Sequence, residues 1–306
     1  MGSYIVKRIL GLIPLLLAVS FVIFIFVHLI PGDPARMMAG RDATNEEVEA
    51  LRVSLGLDKS LVEQYFVYMK GLLSGDLGHS LRSNVPVTEL FSDRFLPSLQ
   101  LSLMSIGWAI AMGIIMGVIA AVFRGKWPDY LSTFIAISGI SVPNFWLGLV
   151  MIQIFAVGFG WFPAGGIETW KSYIMPSFAL GAGIMAMITR FTRSSLVQTL
   201  QEDFIRTARS RGLNEKSVIF GHALKKSIIT VLTIAGLQFG YLLGGSVVVE
   251  AVFSFPGMGR LLIDSIQFRD YPVVQSLLLI FSLQFILVNL VVDILYGIFN
   301  PKIRYN

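Results

Sequence analysis

Of the 306 residues, 55% are hydrophobic and only 14% are charged, and the mean hydropathy is +0.72, a balance outside that of soluble domains. The net charge of +5 is modest and the chain has no cysteine, so disulfide staples and Cys-ligated metals are excluded. What remains is an all-α membrane protein.

A bilayer-crossing helix takes roughly 20 predominantly apolar residues, and six stretches meet that demand: 9–30, 99–122, 131–158, 173–189, 227–249 and 273–299. Lys7 and Arg8 ahead of the first suggest a signal peptide. The run is too long for one, and "PGDPARMMAG" after it offers no clear small-x-small cleavage site, so an uncleaved first span is expected. The chain then divides into 1–30, an extracytoplasmic segment 31–98, and a membrane core 99–306 holding spans two to six and a long internal loop, 190–226.

The segment 31–98 is too long for a bare connection. Thr44-Asn45-Glu46-Glu47 and Ser60-Leu61-Val62-Glu63 both fit the capping box, in which a hydroxyl accepts a backbone N–H and the Glu reaches back. Each opens a stretch of helical apolar spacing that stops at a glycine, Gly56 or Gly75. The segment is a lid that stiffens the outer mouth, or a docking surface for an external partner.

An even number of spans puts both termini on one side, and the basic residues choose the side. The ends and loops on that side carry 14 Lys or Arg; the other loops carry 10, together with 14 acidic residues. Both termini are therefore expected in the cytoplasm, and the positive charge is a topology signal that needs no nucleic-acid partner. The later outer loops are rich in glycine and aromatic residues. Trp161, Trp170, Phe253, Phe255 and Tyr271 suit the membrane interface. Alternatively, Phe253 to Gly259 forms a re-entrant turn at the mouth of a pathway.

Inside the membrane the informative residues are small or polar. Gly236, Gly240 and Gly244 recur every fourth residue on span five, as Gly113 and Gly117 do on span two. Such stripes let helix backbones approach closely, or leave a smooth wall along a passage. Asp293 on span six, one turn beyond Asn289, is costly in lipid, by about 2.5 to 3.5 kcal/mol near a helix centre. It is expected to face protein, either tied to a cytoplasmic arginine or taking part in transport.

Between spans four and five lies "RTARSRGLNEKSVIFGHALKKSI", with six Lys or Arg and one acid, Glu215. Its pattern is a short helix through Asp203 to Arg211, a break at Gly212-Leu213, a turn at Asn214 and a second helix leading back to the membrane. Positive-inside residues or contacts to anionic lipid would account for the charge, but not for a helix-Gly-turn-helix of this length.

This cassette resembles the coupling-helix motif of ATP-binding-cassette importer permeases: Glu-Ala-Ala, three residues, Gly, nine residues, Ile-x-Leu-Pro. Arg206-Thr207-Ala208 stands at the triplet, Gly212 at the glycine and His222-Ala223-Leu224-Lys225 at the close; the leading Glu and the final Pro are missing. The Arg-Thr-Ala-Arg-x-x-Gly-Leu form is similar to that of the dipeptide and oligopeptide branch. So are "HLIPGDPA", "GDLGHSLRSNVPV", "SVPNFWLGL", "FSFPGMGRLLIDSI" and "VVDILYGIFNPKIRY", in order along nearly the whole chain. The long segment after span one points to the B-type member of the permease pair.

The resemblance implies half of a heterodimer with a C-type permease, two cytoplasmic ATPases that bind ATP and magnesium, and an extracytoplasmic solute-binding protein. Asp203, Arg206, Thr207, Ala208, Arg209, Arg211, Gly212 and Leu213 would seat in a groove of one ATPase, the arginines making charge-assisted contacts to acidic residues. Phe253, Phe255 and Met258 would face the binding protein or the cargo. The implied cargo is a di- or oligopeptide, with nickel chelates, glutathione and oligosaccharides carried by relatives.

Direct reading agrees by what is missing. The sequence has no G-x-x-x-x-G-K-[ST] loop, no H-E-x-x-H and no G-x-S-x-G. His28, His79 and His222 are far apart, so neither a metal site nor a cofactor is expected in this chain. Two other classes stay open. An ion-coupled secondary transporter would concentrate ionisable groups at midplane, where Asp293 stands alone. A membrane-embedded hydrolase would need a nucleophile and base within the spans, and the only histidine there is His28, at its outer edge.

Overall fold

The computed structural model describes residues 2–29, 32–40 and 42–299, and its regular elements are helical throughout the described residues. Contacts divide the chain into two compact units, Leu99–Phe255 with Phe285–Asn306, and Gly2–Ser98 with Pro256–Gln284. By contacts, the first span groups with the segment that follows it, and 256–284 groups with both.

The second unit opens with helix α1 (Gly2–His28) and three short helices, α2 (Pro34–Ala39), α3 (Asn45–Ser54) and α4 (Leu61–Leu73). Both expected capping boxes form: the Thr44 and Ser60 hydroxyls accept the N–H of Glu47 and Glu63, whose carboxylates accept the cap N–H in return. Both expected stops form too. Gly56 and Gly75 adopt φ of +67° and +81°, and each completes a Schellman end. Gly56 and Leu57 donate to Val53 and Arg52; Gly75 and Asp76 donate to Leu72 and Gly71. The α4 helix lies along α1, with Tyr65 Oη 2.9 Å from Ser20 Oγ and the Phe24 and Tyr68 rings stacked at 6.0 Å. The unit is closed by α12 (Met258–Gln267) and the start of α13 (Tyr271–Phe299). Asp270 latches the loop around Ser80, accepting from Ser80 Oγ at 2.5 Å and from the Leu81 N–H at 2.9 Å. Ser276 donates to the Leu77 carbonyl at 3.0 Å. These ties are the physical reason for that grouping of 256–284.

The first unit is built around α8 (Ile174–Thr199), whose inward face of small and apolar side chains is almost wholly buried. Against it pack α5 (Val87–Val122), α6 (Trp127–Ser141), α7 (Asn144–Met151) and α10 (Leu224–Gly245). Glycines set the α5–α8 distance. A Cβ on Gly113 would lie 2.7 Å from Ile188, one on Gly117 2.5 Å from Thr192, and one on Gly181 2.7 Å from the Ser105 carbonyl. Trp108 donates its indole N–H to the Ser177 carbonyl at 2.9 Å and stacks on Phe178.

Four helical stretches are long and apolar enough to cross a membrane: Leu10–His28, Val87–Val122, Trp170–Thr199 and Tyr271–Val292. Two bent pairs bring the number to six if each is one span. The first pair, Trp127–Ser141 and Asn144–Gly158, turns by 102°. Val142 precedes a proline and is held extended, at φ −89° and ψ 122°, so the stretch expected to be one continuous helix breaks there. The second pair, Ser217–Ile228 and Val231–Gly240, bends by 44° after a π-helical turn, Ser217–Ala223.

Candidate functional site

The loop singled out in the sequence forms a knuckle at one end of α8. Three residues past Leu200, α9 (Asp203–Ser210) begins and runs for about 12 Å at 1.5 Å per residue. Ile205 and Ala208, three apart on one face, are buried against Val118, Leu196 and Val218. Burying Ile205 fully contributes roughly 1.5 to 3 kcal/mol and fixes the rotation of the helix. The opposite face is therefore presented outward: Asp203, Arg206, Thr207 and Arg211 are all exposed, Arg206 by 74% of its side chain.

The helix ends as its glycine requires. Gly212 has φ +79° and donates to the Arg209 carbonyl at 2.9 Å, while Leu213 donates to that of Ala208 at 3.4 Å, a third Schellman end. Asn214 then caps the following turn, its Oδ1 accepting the Ser217 N–H at 2.8 Å. Arg209 turns back across the break and holds Glu215 with two hydrogen bonds, at 2.7 and 3.2 Å. At the base, Lys226 pairs with Glu202 and lies over the Phe204 ring.

The Arg209 guanidinium, hydrogen-bonded to Glu215, holds that carboxyl below its ordinary 4.5, while slight burial works the other way. A depressed carboxylate stabilises above its unfolded pKa and stops doing so as pH falls through its folded one. Protection of the Gly212 to Ser217 amides, taken relative to their intrinsic exchange rates, is thus expected to hold above the ordinary carboxylate pKa of 4.5 and to fall as pH drops through the lowered one. A Glu215→Gln variant should show the lower protection at every pH.

The expected coupling residues thus fall into two groups. Asp203, Arg206, Thr207, Arg211 and Leu213 form the outward surface; Ala208, Arg209 and Gly212 build the knuckle from within. Sequence reading missed Ile205, which its spacing from Ala208 signalled, and the ion pair at the root of α8. There the buried Asp129, in the first turn of α6, takes Arg193 in a two-pronged grip at 2.6 and 2.8 Å and accepts the Gly125 N–H at 2.9 Å. No local signal links residues 64 apart in sequence.

The other expected site residues are placed differently. A Cβ on Gly236 would collide with Val292, and one on Gly240 would lie 3.2 Å from Phe285, so these glycines sit against α13. Asn289 donates one amide hydrogen to the Phe285 carbonyl of its own helix at 3.0 Å. Gly244 and the side chain of Asp293 lie outside the described residues. Phe253 and Phe255, expected at a surface facing cargo or a partner, are 1% and 0% exposed in the first unit. The chain folds them inward because Gly165 and Gly166 pass close to Phe253, the Gly166 N–H donating to its carbonyl at 3.1 Å, and because Tyr173 meets Phe255 edge to face. Met258 is buried in the second unit, its N–H donating to Ser98 Oγ at 2.8 Å. Of the five residues expected at the interface, Trp161 and Trp170 are exposed, and Tyr271, like Phe253 and Phe255, is buried. Among the described residues, no group of three or more His, Asp or Glu could hold a metal ion.

Comparison with known proteins follows the same outline. Residues 113–305 match the family model "Binding-protein-dependent transport system inner membrane component", and residues 1–102 match the N-terminal model of such components. The chain is 52% identical over 305 residues to the glutathione transport system permease protein GsiC of Escherichia coli K12, covering 100% of both chains. It is 51% identical, at the same coverage, to the protein of that name from Pectobacterium atrosepticum. Among solved structures, it is similar in fold to an inward-facing MetNI methionine ABC transporter, with TM-score 0.58 and 17% identity over 70% of this chain and 97% of that one. An amino acid ABC transporter with histidines gives TM-score 0.54 and 19% identity over 70% and 94%.

Proposed function

We infer how this chain works from one premise: it belongs to the family of binding-protein-dependent transport inner membrane components, and is the B-type permease subunit of an ATP-binding-cassette importer of the peptide branch. In our reading each bent pair is a single span, which makes six. Both termini and the α9 knuckle are then cytoplasmic, and the caps and helices of 31–98 lie outside the plasma or inner membrane. The chain makes and breaks no bond. It pairs with a C-type permease, two ATPases carry it and bind ATP with magnesium, and a solute-binding protein delivers the cargo.

The observation that carries this reading is the construction of α9. A helix of this length does not bend, and its buried face, Schellman end and Arg209–Glu215 clamp fix it to the protein on one side. Its free face offers Asp203, Arg206, Thr207 and Arg211 to a groove. Motion of an ATPase engaging that face would pass directly into α8 and α10, which the knuckle joins. Gly236 and Gly240 then serve close packing of α10 on α13, and Phe253 and Phe255 brace the first unit from within.

The cargo we assign is a short peptide, glutathione first, since glutathione is what relatives 52% identical over their full length are named for. Uptake of labelled glutathione and of labelled dialanine by cells lacking this chain, with and without its restoration, tests the assignment. Glutathione uptake that depends on the chain is expected. Dependence for dialanine alone moves the cargo to dipeptides, and dependence for neither removes the peptide assignment.

A further inference from the structure

The second unit holds a cavity of about 770 Å³ between the outer end of α1, α4, the loop after α3 and the start of α13. That is the size range of small-molecule sites. Its walls are apolar at Phe24, Val27, Val67 and Leu77. Its polar groups are unusual. Among the described residues six buried side-chain N or O atoms lack a hydrogen-bond partner, and three of them, Tyr68 Oη, Tyr271 Oη and Gln275 Nε2, belong to residues lining this one cavity. Tyr271 and Gln275 are only 8% and 9% exposed and stand one turn apart on the same face of α13. Burial pushes the Tyr68 hydroxyl's pKa up, while the Gln275 amide beside it works the other way, so the phenol stays protonated and able to donate.

Leaving buried polar atoms unpaired is costly, and native folds seldom do so. Two tyrosine hydroxyls and an amide NH2 in one apolar-walled cavity form a donor-rich set. The charged lining is mixed: Arg52 and Lys59 stand with Asp33 and Asp76, Asp33 holding Arg52 at 2.5 Å, so the donor groups and not a net charge would select the ligand. Such a site suits a small solute with hydrogen-bond acceptors on a partly apolar body.

We propose that this cavity binds the carbonyl or carboxylate oxygens of a short peptide, through Tyr68, Tyr271 and Gln275, making it an outer recognition site of the permease itself. This deepens the cargo reading above and rests on it. Selection would then be shared between the permease and the binding protein.

Tyr68→Phe and Gln275→Leu remove the donors and keep the shape. The full chain in phosphatidylethanolamine/phosphatidylglycerol nanodiscs, titrated with glutathione and with trialanine, should bind at least one of them. Each variant should bind about tenfold more weakly, with a melting temperature equal to or above wild type, because each loses an unpaired buried group. The proposal is overturned if wild type binds neither probe, if the variants bind as wild type does, or if they melt markedly lower, which would mean that water or lipid already satisfies these groups. Chain-dependent glutathione uptake in cells, measured alongside, separates the two readings. If uptake persists while nanodisc binding is absent, the permease keeps its cargo and loses this site.

Discussion

Replacing Gly212 with proline is expected to abolish coupled transport while leaving the membrane helices folded. Gly212 sits at φ +79°, which proline cannot adopt, and its N–H holds the Arg209 carbonyl, a bond proline cannot make. The local cost is about 3 kcal/mol, enough to depopulate the formed knuckle by about a hundredfold. Gly212→Asn is the matched control. A Cβ at this position meets nothing within 4 Å, and asparagine tolerates the left-handed region. Near-normal uptake and ATPase stimulation should survive in the asparagine variant and fall tenfold or more in the proline one, with both proteins inserted equally. Equal activity in the two would mean that the shape of the break is irrelevant.

The second large effect is expected at Asp129 and Arg193. The Asp129 side chain is 4% exposed and Arg193 35%, so removing either partner strands a charge in a poorly hydrated place. Asp129→Asn or Arg193→Gln alone should destabilise by about 3 kcal/mol, the low end for a buried pair because the arginine is partly hydrated. The double variant should cost less than the sum of the two, with a coupling of about 1 to 3 kcal/mol in a thermal-unfolding cycle. Additive losses would show that the grip between α6 and α8 contributes nothing beyond its separate parts. Because Arg193 lies two turns before the end of α8, the same variants should loosen the root of the knuckle and reduce coupling as well as stability.

Much of this was legible in the chain. The apolar runs located four long apolar helices and the two bent pairs, because about 20 uncharged residues have few other homes. Three glycines, Gly56, Gly75 and Gly212, were read as helix stops, and all three have positive φ with full Schellman bonding. Both capping boxes formed because their partners lie three residues apart, within reach of local reasoning. What could not be read depends on distance or direction. Asp129 and Arg193 meet only after α6 and α8 pack. Phe253 and Phe255 carry the composition of interfacial residues, and nothing in a run of aromatics and glycines says which way the turn folds. The break at Val142-Pro143 was written in the proline, yet a bent pair and a continuous span have the same composition. In the knuckle, charge drew attention to the arginines, while the spacing of Ile205 and Ala208 decides which of them face outward.

The central claim is that the outward face of α9 is where a partner ATPase takes hold. The chain has no cysteine, so single cysteines can be introduced without background. The measurement is cross-linking in membranes between the chain, carrying cysteine in place of Arg206, Thr207, Arg211 or the buried Ala208, and its co-expressed ATPases. Cross-links at the three exposed positions, changed in yield by ATP and weak or absent at position 208, are what the account predicts. No cross-link at any exposed position, in a complex that still transports, would contradict it.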